Sequence, residues 1–250
     1  MPTDNGNGDD HGWWLAVAAW CGSNGDEQKW RKQQSLRSQN SKLQNYTTVH
    51  NEENPFLSFI SFFNYCLLSA AEAPDPVLDI DGKKLRAGVD YYILPIIRGR
   101  GGGLTLASPT GDTCPLSVIQ EQLEVKHGLP LIFTPVNPKK DVVRVSTDLN
   151  IKFSASTICV ESTVWKFEYD EILGQYFIYD GAVEGNPGRE TVDNWFKIEN
   201  FDDKDYKLVF CPTVCKFCKV ICKDVGIFVQ GGTRRLALSD VPLRIMFKKA

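Results

Sequence analysis

The chain has 250 residues, 42% of them hydrophobic, and a formal net charge of -3 from 28 basic and 31 acidic side chains. Charges this evenly balanced, with no basic stripe, exclude the electrostatic footprint of a nucleic-acid binder. After Leu68 no apolar run is long enough to span a bilayer, and no membrane partner is expected of the mature chain.

Residues 1–54 are polar and rich in Gly, Asn and Gln, with one short apolar patch at 13–20. They offer no core and are expected to be a disordered extension or a gene-model artefact. Residues 55–73 have the pattern of a secretory signal. Their apolar stretch, 56–68, is followed by Ser69-Ala70-Ala71-Glu72-Ala73, in which Ala71-x-Ala73 fits a signal-peptidase site. The stretch lies well inside the chain and follows two acids, Glu52 and Glu53, where a signal normally carries basic residues. Its cleavage would leave one domain, 74–250, large enough for a good core, and would place it outside the cell or in a vacuole.

From there the pattern is all-β. Asp79 and Asp81 precede Gly82, but the carboxylate ladder of a calcium loop stops there, so a β-turn is expected. Short β-branched and aromatic runs then alternate with Gly, Pro and Asp turns. Strands are expected at 91–97, 103–107, 115–120, 142–145, 149–153, 164–167, 176–179, 195–198, 206–210, 226–229 and 235–238. No stretch has helical periodicity. Gly99-Arg100-Gly101-Gly102-Gly103 lacks the Lys-Ser/Thr of a phosphate cradle and is expected to be a mobile turn. A strand, a Gly-rich turn and a second strand recur at 92–106, 165–179 and 226–238, roughly every 60 to 75 residues. Three such units suggest a closed barrel with a hairpin cap, which removes sheet edges; a two-sheet sandwich fits the pattern nearly as well. Trp165 and Trp195 are expected in the core.

Six cysteines follow the signal. Cys211, Cys215, Cys218 and Cys222 have symmetric spacing, so the run can fold back as a hairpin with Cys211 facing Cys222 and Cys215 facing Cys218. The alternative is a metal site built on Cys215-x-x-Cys218. An even number of cysteines in a secreted chain favours disulfides. If the last four pair among themselves, Cys114 is left with Cys159.

No enzyme chemistry is legible. His127 is the only histidine after the signal and has no motif partner. No nucleophile elbow or zinc-protease motif occurs, and no cofactor is expected. One segment stands out. Thr134-Pro135-Val136-Asn137-Pro138-Lys139-Lys140-Asp141 is stiffened by two prolines and carries two lysines. A rigid, exposed, extended segment with a basic residue suits the acidic specificity pocket of a trypsin-like protease.

The residues also resemble a family, the soybean-type Kunitz protease inhibitors, in their miraculin-like branch. The resemblance rests on Val77-Leu78-Asp79-Ile80-Asp81-Gly82-x-x-Leu85-x-x-Gly88-x-x-Tyr91-Tyr92-Ile93, on Ser162-Thr163-Val164-Trp165, on Gly185-Asn186-Pro187-Gly188, on the nested cysteine run and on Arg234-Arg235-Leu236-Ala237-Leu238-Ser239-Asp240. It covers 74–250 and not 1–54. It implies a β-trefoil of twelve strands in three pseudo-repeats, a Cys114–Cys159 disulfide, and substrate-like inhibition of a trypsin-like serine protease. By position the reactive loop is Asn137, Pro138, Lys139 and Lys140, with Lys139 or Pro138 as the primary-specificity residue. Inhibitory members brace this loop from below with an asparagine, where this chain has Ala87. The interchain cysteine of the taste-modifying member falls at Asp202, so a monomer without an interchain disulfide is expected. Weak inhibition, or a non-inhibitory defence or storage role on the same scaffold, follows from these departures.

Overall fold

A computed structural model describes residues 73–250, apart from Pro109, Thr110, Asp112, Thr113, Val160, Glu161, Asp203 and Lys204. The expected extension, and the expected signal up to its last residue, lie outside the described residues. Ala73–Ala250 forms one compact unit.

Twelve strands make up this unit. They are β1 (Tyr91–Pro95), β2 (Leu104–Ala107), β3 (Ser117–Gln120), β4 (Leu131–Pro135), β5 (Leu149–Phe153), β6 (Val164–Asp170), β7 (Gln175–Ala182), β8 (Lys197–Asn200), β9 (Tyr206–Phe210), β10 (Lys223–Gln230), β11 (Thr233–Ser239) and β12 (Ile245–Lys249). One 3₁₀ turn, Arg189–Asn194, precedes β8. Period-2 alternation is clearest in two strands. In β4, Leu131, Phe133 and Pro135 are buried while Ile132 and Thr134 are half-exposed. Tyr206, Leu208 and Phe210 do the same in β9.

The pairing closes a barrel. β1 joins β12 and β4, β4 joins β5, β8 joins β9, and β9 joins β12. A bridge between Leu149 and Phe196 completes the circle. The remaining strands form three hairpins, β2–β3, β6–β7 and β10–β11. These touch one another through β11–β3, β3–β7 and β11–β7. The chain is therefore a β-trefoil: a six-stranded barrel capped by three hairpins, in repeats β1–β4, β5–β8 and β9–β12. The sandwich is excluded because its sheets would not close.

The barrel is filled by aromatics. Trp165 is fully buried and meets Phe196 edge-on at 5.9 Å. Phe167 packs on Phe210 at 4.6 Å, and Phe133 on Phe247 at 5.5 Å. Trp195 is equally buried, with its indole N–H directed at Thr191. In the cap, Arg235 of β11 is buried with its guanidinium 3.6 Å above the Phe177 ring of β7. It donates to Ser117 of β3, Tyr179 of β7 and Gln230 of β10. One cation thus pins all three hairpins.

Three expectations need correction. The first cap hairpin is β2–β3, not 92–106, since β1 belongs to the barrel. Its connection, residues 108–116, is longer than those of the other two and includes Cys114. Residues 142–145 do not form a regular strand. They are spanned by single bridges, Val142 to Arg86 and Arg144 to Pro76. The glycine run is a turn only in its first part: Gly99 and Arg100 are exposed at a surface turn, but Gly101, Gly102 and Gly103 are buried. Gly102 N donates to Glu121 O and Gly103 N to Lys126 O. A Cβ at Gly102 or Gly103 would collide with the carbonyls of Lys126 and His127. Close backbone approach is the reason for glycine there. Two strands, β4 and β12, lie outside the expected set. The β-turn at Asp79 is present, with its carboxylate accepting from Asp81 N and Lys83 N.

Candidate functional site

The segment with two prolines divides in the structure. Thr134 and Pro135 end β4, and residues 136–141 leave the barrel as a loop before β5. Asn137, Pro138, Lys139 and Lys140 are all exposed. The apex is a tight turn. Asn137 O accepts from Lys140 N at 3.0 Å, and Asn137 Oδ1 accepts from Lys139 N at 3.1 Å. Pro138 supplies the fixed φ such a turn wants at its second position, and asparagine is suited to the first. The loop is exposed as expected, but turned rather than extended at its tip.

Its base is held from two sides. Val136 N donates to Asp148 O at 2.8 Å. On the other side the N-terminal segment runs beneath the loop's end. Ala87 N donates to Asp141 O at 2.8 Å, and Arg86 Nη1 donates to Asp141 Oδ2 at 2.5 Å. Ala87 therefore sits against the loop through its backbone, while its methyl donates nothing. Arg86 supplies a side-chain brace one residue earlier. Its partner is solvent-exposed, so the pair orders the loop more than it stabilises the fold. This brace spans 55 residues of sequence and leaves no local signal. Only the placement of the stretch 85–88 under the loop pointed towards it.

Asp148 is a second residue that sequence reasoning missed. It is buried at the start of β5, and its carboxylate accepts from the Thr213 backbone N–H at 3.1 Å and from Thr213 Oγ1, with Lys197 Nζ at 3.8 Å. Its backbone holds Val136. One residue thus joins the loop to the cysteine hairpin, and an isolated acid ahead of an apolar run was its only sequence trace.

Thr134, at the loop's approach, donates to Glu184 Oε1 at 2.5 Å, and Lys152 Nζ donates to Glu184 Oε2 at 2.7 Å. Burial by itself would raise the Glu184 pKa. The hydrogen bonds from Lys152 and Thr134, with the lysine's charge, outweigh it and hold the carboxyl below its usual value.

All six cysteines among the described residues are paired. Cys114 joins Cys159, Cys211 joins Cys222 and Cys215 joins Cys218, with Cα separations of 5.8, 4.3 and 5.4 Å. The thiolates of a metal site are consumed by these bonds. The loop at Lys139 lies inside the segment closed by Cys114–Cys159. His127 is exposed and stacks on Tyr92 at 5.4 Å. Asp202 is held by Arg244 Nη2 at 2.9 Å.

A disulfide-stapled β-trefoil is the scaffold of a class of plant protease inhibitors. The chain belongs to the legume Kunitz family, described as "Trypsin and protease inhibitor", whose profile matches residues 77–249. It is 57% identical to Kunitz trypsin inhibitor 5 of Arabidopsis thaliana, over 78% of this chain and 96% of the relative. It is 59% identical to miraculin of Synsepalum dulcificum, over 73% of this chain and 87% of that one. Among solved structures it is similar to the inhibitor in the complex of porcine pancreatic trypsin with soybean trypsin inhibitor. That match has 31% identity and a TM-score of 0.58, covering 70% of this chain and 99% of the other. A unit corresponding to Ala73–Ala250 is thus a whole folded protein elsewhere in the family.

Proposed function

We propose that this protein is a secreted inhibitor of trypsin-like serine proteases, acting as a monomer through Asn137, Pro138, Lys139 and Lys140, with Lys139 entering the acidic specificity pocket. The observation that carries this reading is the exposed lysine on a turn fixed at both ends by hydrogen bonds to Asp148, Ala87 and Arg86. A lysine held this way loses little freedom on binding, and its charge meets the buried carboxylate of the protease. Secretion is supported by the pairing of all six cysteines, which needs an oxidising compartment.

Inhibition is weak in this reading. To lie extended in a cleft the tip must give up Asn137 O···H–N Lys140 and Asn137 Oδ1···H–N Lys139. At about 1 kcal/mol each, opening both would weaken binding roughly thirtyfold. Ala87 adds nothing to offset this. The non-inhibitory alternative is favoured by that same alanine. Titrating trypsin with residues 73–250 separates the two. Stoichiometric loss of activity that disappears in Lys139→Ala supports inhibition at this loop. No inhibition at micromolar protein supports the scaffold role.

A further inference from the structure

The cysteine hairpin between β9 and β10 carries a second exposed surface that the loop at Lys139 does not use. Cys211–Cys222 ties its base, and Cys215–Cys218, only 3 residues apart, ties its tip. Phe217 stands 84% exposed inside this small ring, and Ile221 is 48% exposed just beyond it. Lys216 and Lys219 flank them, exposed, and among the described residues neither is in an ion pair. No acidic residue occurs between Cys211 and Cys222. The acids around its base are already engaged: Asp148 with Thr213, Asp224 with Lys207 at 2.8 Å, and Asp240 with Lys223 at 3.1 Å. The result is a convex apolar tip with uncompensated positive charge on both sides, locked covalently into water.

We propose that this hairpin is an interfacial contact for anionic phospholipid bilayers. Phe217 and Ile221 enter the headgroup boundary, and Lys216 and Lys219 lie level with the phosphates, their stems covering apolar surface. Such a contact needs no spanning segment. The staples remove the ordering cost that a free loop would incur on insertion. A protein cleft is a poorer fit. A four-residue ring cannot lie extended as a substrate strand, and like charges around a convex tip suit a diffuse anionic surface better than a shaped pocket. This inference stands independently of inhibition at Lys139.

The test is flotation of residues 73–250 with phosphatidylcholine vesicles, with and without phosphatidylserine. Binding is expected only with phosphatidylserine and is expected to weaken with added salt. Lys216→Gln and Lys219→Gln should each lower the partition coefficient about fivefold, and Phe217→Ser about tenfold. Ile172→Ser, at an exposed apolar site on the β6–β7 turn, should leave it unchanged. All four positions are exposed, so melting temperatures should match the parent's and a folding defect would be recognised. Absent binding, equal binding to both vesicle types, or full binding by Phe217→Ser overturns the proposal. Unchanged vesicle binding in Phe217→Ser together with weakened trypsin inhibition would assign the hairpin to a protein contact instead, and the proposal also falls.

Discussion

Lys139, Ala87 and the Arg86–Asp141 pair divide the work at the loop, and each can be separated by substitution. Lys139→Ala removes the partner of a buried carboxylate in the protease. It should weaken trypsin inhibition at least thirtyfold, corresponding to about 2 kcal/mol or more. Ala87→Asn places a donor where the loop's end already rests on the residue 87 backbone. One added hydrogen bond should tighten inhibition about fivefold, and an unchanged inhibition constant would show that the brace is not limiting. Asp141→Asn weakens the link to Arg86. Because that pair is exposed, the melting temperature should move little while inhibition weakens severalfold. A large loss of stability without loss of inhibition would contradict a bracing role. These residues also show what local sequence conveys. The lysine and prolines announced an exposed basic loop. The tip's turn followed from Asn137-Pro138, but the competing extended form was the one expected, because substrate-like binding was in view.

At the scale of elements, β4 and β5 carry the loop, and Glu184 anchors them through Thr134 and Lys152. A carboxyl held below its unfolded pKa stabilises the fold above that pKa and loses its contribution as pH falls through the folded value. Stability should therefore decline as pH drops below about 4.5, the ordinary value for this carboxyl. Glu184→Gln should flatten that part of the profile, measured by thermal melting between neutral and acid pH. An identical slope in the variant would remove Glu184 from the account. The cap offers a second test. Arg235→Ala would leave Ser117 and Tyr179 without their buried donor and strip the Phe177 ring of its cation. The expected cost is about 3 kcal/mol in denaturant unfolding. The elements themselves were largely legible, because β9 alternates and β5, β7 and β11 are short apolar or aromatic runs next to turn residues. β4 was hidden because Pro135 reads as a loop residue, although proline is accommodated here at a strand end. Residues 142–145 read as a strand because three of the four are β-branched valines. They lack a full ladder because the N-terminal segment crosses them only at single bridges.

On the scale of the whole molecule, threefold symmetry was visible before it could be placed. The hairpins β6–β7 and β10–β11 turn on glycine, so they stood out. β2 and β3 are separated by a longer segment, residues 108–116, and did not stand out. Barrel closure rests on contacts between distant repeats, such as β1 with β12, and no local pattern encodes those. The resemblance to the Kunitz family bridged that gap. Cys114–Cys159 closes a long loop across the first and second repeats, so replacing both cysteines by serine should cost on the order of 4 kcal/mol on the loop-entropy view. Within that loop lies the proposed reactive bond, between Lys139 and Lys140. A substrate-like inhibitor is cut slowly at its own reactive bond, and here the fragments would stay joined by Cys114–Cys159 until reduced. The most direct measurement is therefore mass spectrometry of residues 73–250 after long incubation with catalytic trypsin, followed by reduction. A single cut between Lys139 and Lys140, absent in Lys139→Ala, is the result expected. A first cut at another lysine or arginine, with inhibition intact, would contradict the assignment of this loop as the reactive site.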